Sequence, residues 1–402
     1  MKNILFLSML VACFFLPNNL SAQNDADALR LSNIQFGSTA RSISLAGAMG
    51  ALGADFSTFS KNPAGIGIYR KSEFTFSPLI TSRTAKSDYL GNSNEGTQTP
   101  FGIGNAGLVY AAPLQGGSLW KSINYGFGYN RLKTFKQEFG GDGANKTSSL
   151  LDGWIANANS GFGTLPDNLS NFPDDAFLGY NTFLIDPIPP DSLNYFSAIP
   201  NGGIQQEFNI ESKGSFGEIV FGAGANYNNN LFIGLNFSFP TFNYTKETRW
   251  QETDVADTVN GPLSVYNFKA FTYNQLIESS GSGFNTKFGL IYRINDYVRL
   301  GAHIHSPSWY EISDEAFNNL TSVFDSSVTF SEESVRLFDY TVRTPYKAGG
   351  SAAFLFNGQG LISIDYEFVD YTSMKLKSDY YSFTNENNTI EERYEAAHNI
   401  KA

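Results

Sequence analysis

The sequence predicts an all-β protein that forms a transmembrane antiparallel β-barrel, and two observations carry this prediction. Several segments alternate apolar and polar residues with a period of two, as a strand with one apolar face does. The connections between these segments are alternately short and long, as in outer-membrane barrels with short periplasmic turns and long outer loops. A soluble β-sandwich with its apolar face inward is the alternative, but such a fold has no reason to keep this alternation of connection lengths.

The composition of the 402 residues excludes several classes of protein. Hydrophobic residues make up 42% and aromatic residues 15% of the chain, which is too apolar for a disordered protein. The net charge of −11 argues against a nucleic-acid partner, whose phosphates attract Lys and Arg. Only three His and one Cys are present, so we predict neither a metal centre built on those ligands nor another cofactor.

Residues 1–22 have the pattern of a secretory signal peptide. Lys2 supplies the positive start, residues 4–16 are apolar, and the segment ends in the small residue Ala22. Lipoprotein cleavage before Cys13 is the alternative, although it leaves a leader below the usual length of roughly 15–30 residues. Cleavage after Ala22 leaves no Cys and a formal charge of −12, because Lys2 is the only charge removed. Beyond the leader no apolar run approaches the roughly 20 residues of a membrane helix.

Three pairs of alternating segments predict β-hairpins in matched register. Folding the chain about Asn229 places Tyr227 opposite Leu231 and Phe221 opposite Phe237, so that apolar residues face each other throughout. At Pro240 the apolar phase changes, which indicates a bulge or the end of the lipid-facing band. The other two hairpins and the earlier strands are predicted at 284–294 with 298–305, 346–356 with 362–368, Glu73–Ser82, Gly102–Ala112 and Lys121–Lys136.

The alternation of connection lengths assigns the rest of a barrel domain at residues 73–402. Long outer loops are predicted at 139–214, 246–282 and 307–343. Tyr266–Tyr273 looks like a strand, and we assign it to a loop as the extension of a strand beyond the membrane. After Tyr371 the same rule predicts a long outer connection rather than a tight hairpin.

Residues 23–72 do not alternate and are predicted to form a plug, or hatch, inside the barrel. A run rich in Ala and Gly favours short, closely packed helices and turns, and it ends in the turn signal Asn62-Pro63-Ala64-Gly65. Pro63 biases Asn62 away from helical backbone, and the Asn62 side chain is expected to bond to backbone groups of a tight turn. A periplasmic N-terminal extension is the alternative.

These residues resemble the hatch of FadL/TodX-type outer-membrane transporters. The resemblance rests on Gly37–Ile66, and above all on Asn62-Pro63-Ala64 just before the first strand. It extends to His303–Tyr310 and Gly360–Tyr371, and it is typical of members from Bacteroidetes-type bacteria. The family implies a fourteen-stranded barrel in the outer membrane and diffusion of long-chain fatty acids or other hydrophobic molecules. It also implies a lateral exit at an inward kink of the third strand, where Gly126 and Gly128 would permit a kink.

Candidate ligand-binding residues follow from the predicted lumen and from an unusually apolar outer loop. A fatty carboxylate needs a cation beside an apolar wall, and Lys287, Arg293, Arg299 and Lys347 are predicted to face the lumen. The loop at 150–201 carries many apolar residues, which form either a greasy entry site or a cap packed on itself. Its candidate residues are Phe162, Phe177 and Phe183.

No pattern of an enzyme stands out. Ser306 adjoins His303 and His305, but no Gly-x-Ser-x-Gly elbow is present, so we predict a protein without catalytic residues. The two histidines lie on one face of a strand and are weak candidates for metal or haem ligands, while ordinary polar lumen residues are the simpler interpretation.

The sequence therefore predicts a monomeric outer-membrane transporter for hydrophobic small molecules, inserted among the membrane lipids by the barrel assembly machinery. A haem-binding barrel, or a surface receptor or adhesin that displays its outer loops, is the alternative. The period-two patterns and the alternation of short and long connections give about nine full strands and the start of a tenth at Ala396–Ala402. Because a barrel strand needs roughly 9–11 residues, we expect that C-terminal strands are missing from this chain.

Overall fold

The computed structural model describes residues 25–33, 39–199, 204–254, 268–325, 328–356 and 359–402. The predicted signal peptide, with Cys13, lies outside these residues. Among the helices of the described ranges, none has both the length and the apolar character needed to cross a membrane.

Antiparallel strands dominate the described chain. They are β1 (Glu73–Ile80), β2 (Arg83–Tyr89), β3 (Asn92–Gln98), β4 (Phe101–Pro113), β5 (Trp120–Thr134), β6 (Gln137–Asn145), β7 (Ile185–Pro187), β8 (Tyr195–Ser197), β9 (Ile204–Tyr227), β10 (Leu231–Asp254), β11 (Phe268–Arg293), β12 (Val298–His305), β13 (Trp309–Phe324), β14 (Thr329–Arg343), β15 (Lys347–Leu355), β16 (Leu361–Asp370), β17 (Lys375–Lys377) and β18 (Ala396–Lys401).

Fourteen of these segments form one sheet, whose main path has ten strands in the order β1-β4-β5-β9-β10-β11-β12-β15-β16-β18. The four remaining segments, β6, β13, β14 and β17, continue β5, β12, β15 and β16 beyond short interruptions. Pro307 and Pro345 lie in two of these interruptions, where a residue without an N–H cannot continue the ladder. The predicted strand count is confirmed within the described residues, since nine strands of the main path precede the short β18.

The helices are short and are not part of this wall. They are α1 (Asp25–Ser32), α2 (Ala40–Ser44), α3 (Thr58–Lys61), α4 (Leu151–Ala158), α5 (Ala176–Asn181) and α6 (Thr384–Arg393), with 3₁₀-helices at Pro63–Ile68, Pro166–Asn171 and Tyr371–Ser373.

The predicted register of the hairpins is confirmed. Tyr227 lies opposite Leu231 and Phe221 opposite Phe237 in β9 and β10. The same holds for the other two hairpins, in β11 with β12 and in β15 with β16. Register could be predicted because a slip of one residue would move every apolar side chain to the opposite face.

The apolar face of the wall points outward, so the sandwich alternative is wrong. Phe221 and Phe237 are 48% and 43% exposed, whereas Asn236 and Lys287 on the opposite face are 0% and 6% exposed. The outward apolar run on β10 extends from Leu231 to Phe239, eight steps of about 3.4 Å along a tilted strand. This length is close to the apolar band of about 25 Å on outer-membrane barrels.

At Pro240 the apolar band ends without a bulge. The register of β9 and β10 is continuous through Pro240, which lies opposite Glu218. Beyond it Thr241 and Asn243 point outward and Phe242 turns into the interior, where it is 7% exposed. The bulge interpretation is therefore wrong, and the end of the band is the correct one.

The structure has strands at much of the ranges predicted as outer loops. Within 246–282, β10 continues to Asp254 and β11 begins at Phe268, and within 307–343 nearly all residues belong to β13 and β14. The range 139–214 contains the rest of β6, the helices α4 and α5, and the start of β9. Tyr266 and Asn267 lie outside the described residues, but the following residues extend β11 as expected. The long connection after Tyr371 is also confirmed, because α6 lies between β16 and β18.

The sheet is wrapped round the N-terminal segment. Laid flat, ten strands would span roughly 43 Å at about 4.8 Å per neighbour. Nevertheless the hatch residues between Gly50 and Gly67 touch inward-facing residues of strands from β4 to β16. Only a curved wall brings so many strands to one short segment, and the fold class predicted from the sequence, an antiparallel β-barrel around a hatch, is confirmed.

Candidate functional site

Asn62 lies at the centre of the hatch and is fully buried. Its Oδ1 accepts a hydrogen bond from the Ala64 amide at 3.1 Å, which caps the 3₁₀-helix that begins at Pro63. Its Nδ2 donates to the carbonyl oxygens of Gly50 at 2.7 Å and Leu290 at 3.2 Å. One amide thus joins two hatch segments to the barrel wall, while Pro63, Ala64 and Gly65 pack beside it.

Three asparagines of the wall complete the hydrogen bonding of the hatch backbone, and sequence reasoning missed them. Asn124 donates to the carbonyl of Ile66 at 2.8 Å, and Asn236 donates to that of Phe59 at 2.9 Å. Asn130 donates to Ser60 Oγ at 2.8 Å. All three are fully buried, and their only sequence signal is an amide at an inward position of an alternating strand.

Glycines on the inner face let the hatch backbone lie directly against the wall. A Cβ on Gly234 would stand 2.1 Å from the Pro63 carbonyl carbon, and one on Gly289 would stand 1.9 Å from Asn62 Oδ1. Any larger residue at these positions would push the hatch away from the wall.

Gly126 and Gly128 serve this close packing. The pairing of β5 with β9 runs through both glycines without a register shift, and the two shifts lie between Trp120 and Ser122 and between Arg131 and Lys133. A Cβ on Gly126 would stand 2.3 Å from the Phe59 ring, and one on Gly128 would stand 2.6 Å from the Phe56 ring. A register shift is not an inward bend, so the kink at Gly126 and Gly128 stays a prediction.

A buried ion pair also fastens the hatch to the wall. Lys61 Nζ lies 3.2 Å from Glu367 Oε2 and 3.9 Å from Asp365 Oδ2, and all three side chains are nearly inaccessible. Asp365 also accepts a hydrogen bond from the Gly50 amide at 3.0 Å. A buried charge is tolerated only with such partners, so the wall and the hatch depend on each other.

The four cations predicted for the lumen already have partners. Lys287 Nζ lies 2.6 Å from Glu218 Oε2, and Lys347 Nζ donates to the Ser32 carbonyl at 3.0 Å. Arg299 donates to the Leu52 carbonyl at 2.9 Å, and Arg293 pairs with Asp296 beside a short turn. These residues organise the lumen rather than present an open cation.

The histidine pair lies beside the hatch. The two rings are 5.0 Å apart. His305 Nε2 lies 2.9 Å from the Lys61 carbonyl oxygen, and His303 Nε2 lies 3.8 Å from Glu367. The cavity next to His305 measures about 20 Å³, which is room for about one water molecule.

Above the hatch, inward apolar residues, many of them aromatic, pack into a buried hydrophobic cluster that we call the outer chamber. It begins where the outward band ends, and α1 contributes Ala28 and Leu31 to it. Its wall residues include Leu132, Phe135, Phe216, Phe242, Tyr310, Ile312, Tyr340 and Val342. Helix α1 therefore packs within this cluster.

Contacts at both ends hold α1 in the outer chamber. Asp25 accepts hydrogen bonds from Arg393 at 2.9 Å and from the Tyr394 hydroxyl at 2.7 Å. Burial, together with the hydrogen bond to Asp25, raises the pKa of Tyr394 to about 12, so this hydroxyl remains a donor at neutral pH. At the other end, Ser32 Oγ lies 3.2 Å from Met374 Sδ.

A cation–π arrangement stands at the edge of the outer chamber. The ring centroids of Phe135 and Tyr244 are 5.2 Å apart. The guanidinium of Arg30 lies 4.2 Å from the Tyr244 ring, and Lys133 Nζ lies 5.7 Å from the Phe135 ring. This basic group was not recognised in the sequence, since α1, β5 and β10 contribute to it from distant positions.

The cap, residues 150–199, has a core of its own. Leu151, Trp154 and Leu178 are buried together and pack on the outer parts of β11 and β13. Phe177 is partly buried against this core, while Phe162 is 84% exposed and Phe183 is 47% exposed. Packing of the cap on itself thus accounts for most of its apolar residues, and Phe162 and Phe183 remain at the surface.

Fold and site together define a class of protein: an antiparallel β-barrel with an apolar outer band, a polar inner face and an N-terminal hatch. No protein-family model matches the sequence. No curated protein sequence matches it either.

Two solved structures are similar to the chain. The Pseudomonas putida toluene transporter TodX is 11% identical, with a TM-score of 0.43 over 83% of this chain and 71% of that chain. The monoaromatic hydrocarbon channel CymD is 14% identical, with a TM-score of 0.41 over 83% of this chain and 70% of that chain.

Proposed function

We propose that the protein is an outer-membrane channel for passive uptake of hydrophobic molecules. The observation that carries this proposal is the apolar band on the outer face of a wall whose interior, above the hatch, is lined by the aromatic and aliphatic residues of the outer chamber. A soluble protein would not expose that band to water. The chamber gives a hydrophobic molecule a place to leave water, and the proposal assigns no catalytic step to any residue. The chain is inserted by the barrel assembly machinery and acts as a monomer.

The route through the molecule has two obstacles. Helix α1 fills part of the outer chamber, so a ligand has to displace Ala28 and Leu31 to bind there. Below it the hatch fills the lumen, so a lateral exit through the wall is favoured over a straight path.

The exit is proposed between β4 and β5. These strands pair up to Asn105 and Asn130, and just above this point Arg131 Nε donates to the Ile103 carbonyl at 2.9 Å. A side chain thus replaces main-chain pairing at this part of the wall. This feature supports the lateral exit that the family resemblance implies.

Long-chain fatty acids are the proposed substrates within this class. The lumen cations predicted from the sequence are engaged. Lys133 and Arg30, which also pairs with Asp27 at 2.6 Å, flank the aromatic pair Phe135–Tyr244. A fatty carboxylate placed there has two cations beside an apolar chamber, the combination that recognises such ligands.

Uptake by cells tests both parts of the proposal. Radiolabelled oleate and the uncharged oleyl alcohol are supplied to a deletion strain that carries the gene or an empty vector. We expect the gene to raise uptake of both compounds, and Lys133→Gln to lower oleate uptake several-fold while oleyl alcohol is unchanged. Lys86→Gln, on the exposed hairpin β2–β3, is the control. Equal uptake with and without the gene would refute the transporter and leave the receptor or adhesin alternative.

The haem alternative depends on His303 and His305. A cavity of about 20 Å³ beside His305 has no space for a porphyrin. Any Soret shift on addition of hemin is therefore expected to persist in the double variant His303→Ala/His305→Ala.

A further inference from the structure

Four arginines meet where the hatch reaches the short-turn end of the wall, and we call them the arginine cluster: Arg41, Arg70, Arg293 and Arg299. Arg293 and Arg299 lie directly opposite each other in β11 and β12. Arg41 and Arg70 belong to the hatch, and together with Arg293 they are close enough to repel the Arg299 guanidinium. Like charges directly opposite each other destabilise a sheet, so this arrangement calls for a compensating charge.

One turn of the hatch brings two of these side chains together. Arg299 of the wall donates to the Leu52 carbonyl at 2.9 Å, and Arg41 of α2 donates to the Ala54 carbonyl at 3.1 Å. Two residues span at most about 7 Å of chain, so both guanidinium groups lie at the same turn. Because carbonyl oxygens are neutral partners, they leave the positive charge of both groups uncompensated.

Nearby carboxylates do little to balance the arginine cluster. Arg293 pairs with Asp296, whose side chain is 75% exposed, and such surface pairs contribute little. Within the part of the chain that the structure describes, the other three arginines have no carboxylate oxygen within 4.0 Å. Glu73 interacts with Arg41 only from further away. Asp55 is already hydrogen-bonded to hydroxyl groups and an amide of the hatch.

The arginine cluster also has hydrogen-bond donors to spare. The Nε of Arg299 is buried and has no hydrogen-bond partner among the described residues. The side chain of Arg70 is exposed. A buried donor without a partner is unfavourable, so this position suits a ligand that accepts hydrogen bonds and carries negative charge.

The number of guanidinium groups favours a phosphate over a carboxylate. A carboxylate has two oxygens, and the fork of one arginine can engage both. A phosphate group carries a charge of about −1.5 to −2 and offers more acceptor oxygens, and arginine is well suited to recognise it. Arg41 and Arg70 are exposed, so the anion can arrive from water. Short turns lie on the periplasmic side of outer-membrane barrels.

We propose that the arginine cluster binds one soluble phosphate group, as inorganic phosphate or a phosphate ester, at the periplasmic end of the lumen. The bound anion joins α2, the last residues of the hatch and the wall, and so holds the hatch in place. The periplasmic position rests on the membrane placement proposed above, while binding of the anion is independent of transport.

Isothermal titration calorimetry of the full-length protein in a neutral detergent, with sodium phosphate added at constant ionic strength, tests the site. We expect saturable binding of one phosphate per protein. Arg299→Gln and Arg70→Gln are each expected to weaken binding roughly ten-fold, because each removes a charged donor. Arg249→Gln, an exposed arginine on the outward face of β10, is the matched control and should bind phosphate as the unmodified protein does.

Arg70→Gln changes an exposed side chain, so it keeps the test decisive even where Arg299→Gln fails to fold. Absence of saturable binding, or an unchanged affinity in folded Arg70→Gln, would overturn the proposal. Equal competition by acetate would also overturn it and assign the arginine cluster to a carboxylate. Competition by phosphatidylglycerol but not by phosphatidylcholine would overturn it in favour of a lipid head group. Oleate uptake with the unmodified gene is measured separately, so that a failed anion site and a failed transporter give different results.

Discussion

At the residue scale, the buried pair Lys61–Glu367 makes the clearest energetic prediction. Removing one partner of a buried pair leaves the other charge uncompensated, which typically costs about 3–5 kcal/mol. We expect Lys61→Met and Glu367→Gln each to lower the free energy of unfolding in detergent micelles, and the double variant to lose clearly less than both single losses added together. The coupling energy obtained from these three variants measures the interaction between Lys61 and Glu367, whose charged atoms are 3.2 Å apart.

The exposed pair Lys86–Glu95 is the control for this cycle. Its atoms are also 3.2 Å apart, but its side chains are 72% and 52% exposed. Surface pairs contribute little because water screens them. A coupling at Lys61–Glu367 no larger than that at Lys86–Glu95 would show that the hatch is not held by this pair.

Asn62 provides a second prediction at this scale. Replacing Asn62 with Ala leaves the carbonyls of Gly50 and Leu290 without this donor inside the lumen. An unsatisfied buried polar group costs about 1–3 kcal/mol, so the unfolding temperature should fall. Asn388→Ala, on the exposed side of α6, is expected to change it little. Similar unfolding temperatures for the two variants would contradict the role assigned to Asn62.

At the scale of elements, the hatch is predicted to be what closes the lumen to ions. Deleting residues 23–66 should give a barrel that conducts in planar bilayers, where the intact protein conducts little. Gly234→Leu tests the same point without a deletion, because a Cβ there already meets Pro63 at 2.1 Å.

Gly117→Leu is the control for the hatch experiment, since nothing lies within 4 Å of a Cβ at that position. We expect the deletion and Gly234→Leu to raise conductance and Gly117→Leu to leave it low. A deletion variant that folds and conducts no better than the intact protein would refute the plug.

At the scale of the whole molecule, the prediction concerns where the membrane ends. Leu235 and Arg249 both lie on the outward face of β10. Leu235 is within the apolar band and Arg249 is beyond it. Because the only Cys is Cys13, in the predicted leader, a single new Cys at either position can be labelled in a Cys13→Ser background. A fluorophore sensitive to polarity should report an apolar surrounding at Leu235→Cys and water at Arg249→Cys in lipid vesicles. Equal spectra at the two positions would contradict the placement of the band.

The sequence by itself determined the wall. Period-two alternation fixed which face of β9, β10, β11 and β16 is apolar, and matched turns fixed the register, since both depend only on neighbouring residues. It also identified Asn62-Pro63 as a turn, because the backbone preferences of those residues are local. The strand extensions beyond the band were predicted as loops, since outside lipid the outer face no longer needs to be apolar and the alternation is lost.

Only the tertiary structure decided what the inner face does. Whether Lys287 meets a ligand or Glu218, and whether Gly126 bends a strand or makes room for Phe59, depends on segments far apart in the chain. The hatch alone has partners up to 369 residues away, at Asp365 and Tyr394 among others. No local pattern encodes such pairings, because a polar or small residue facing inward looks the same in the sequence whether it lines a path or holds a plug.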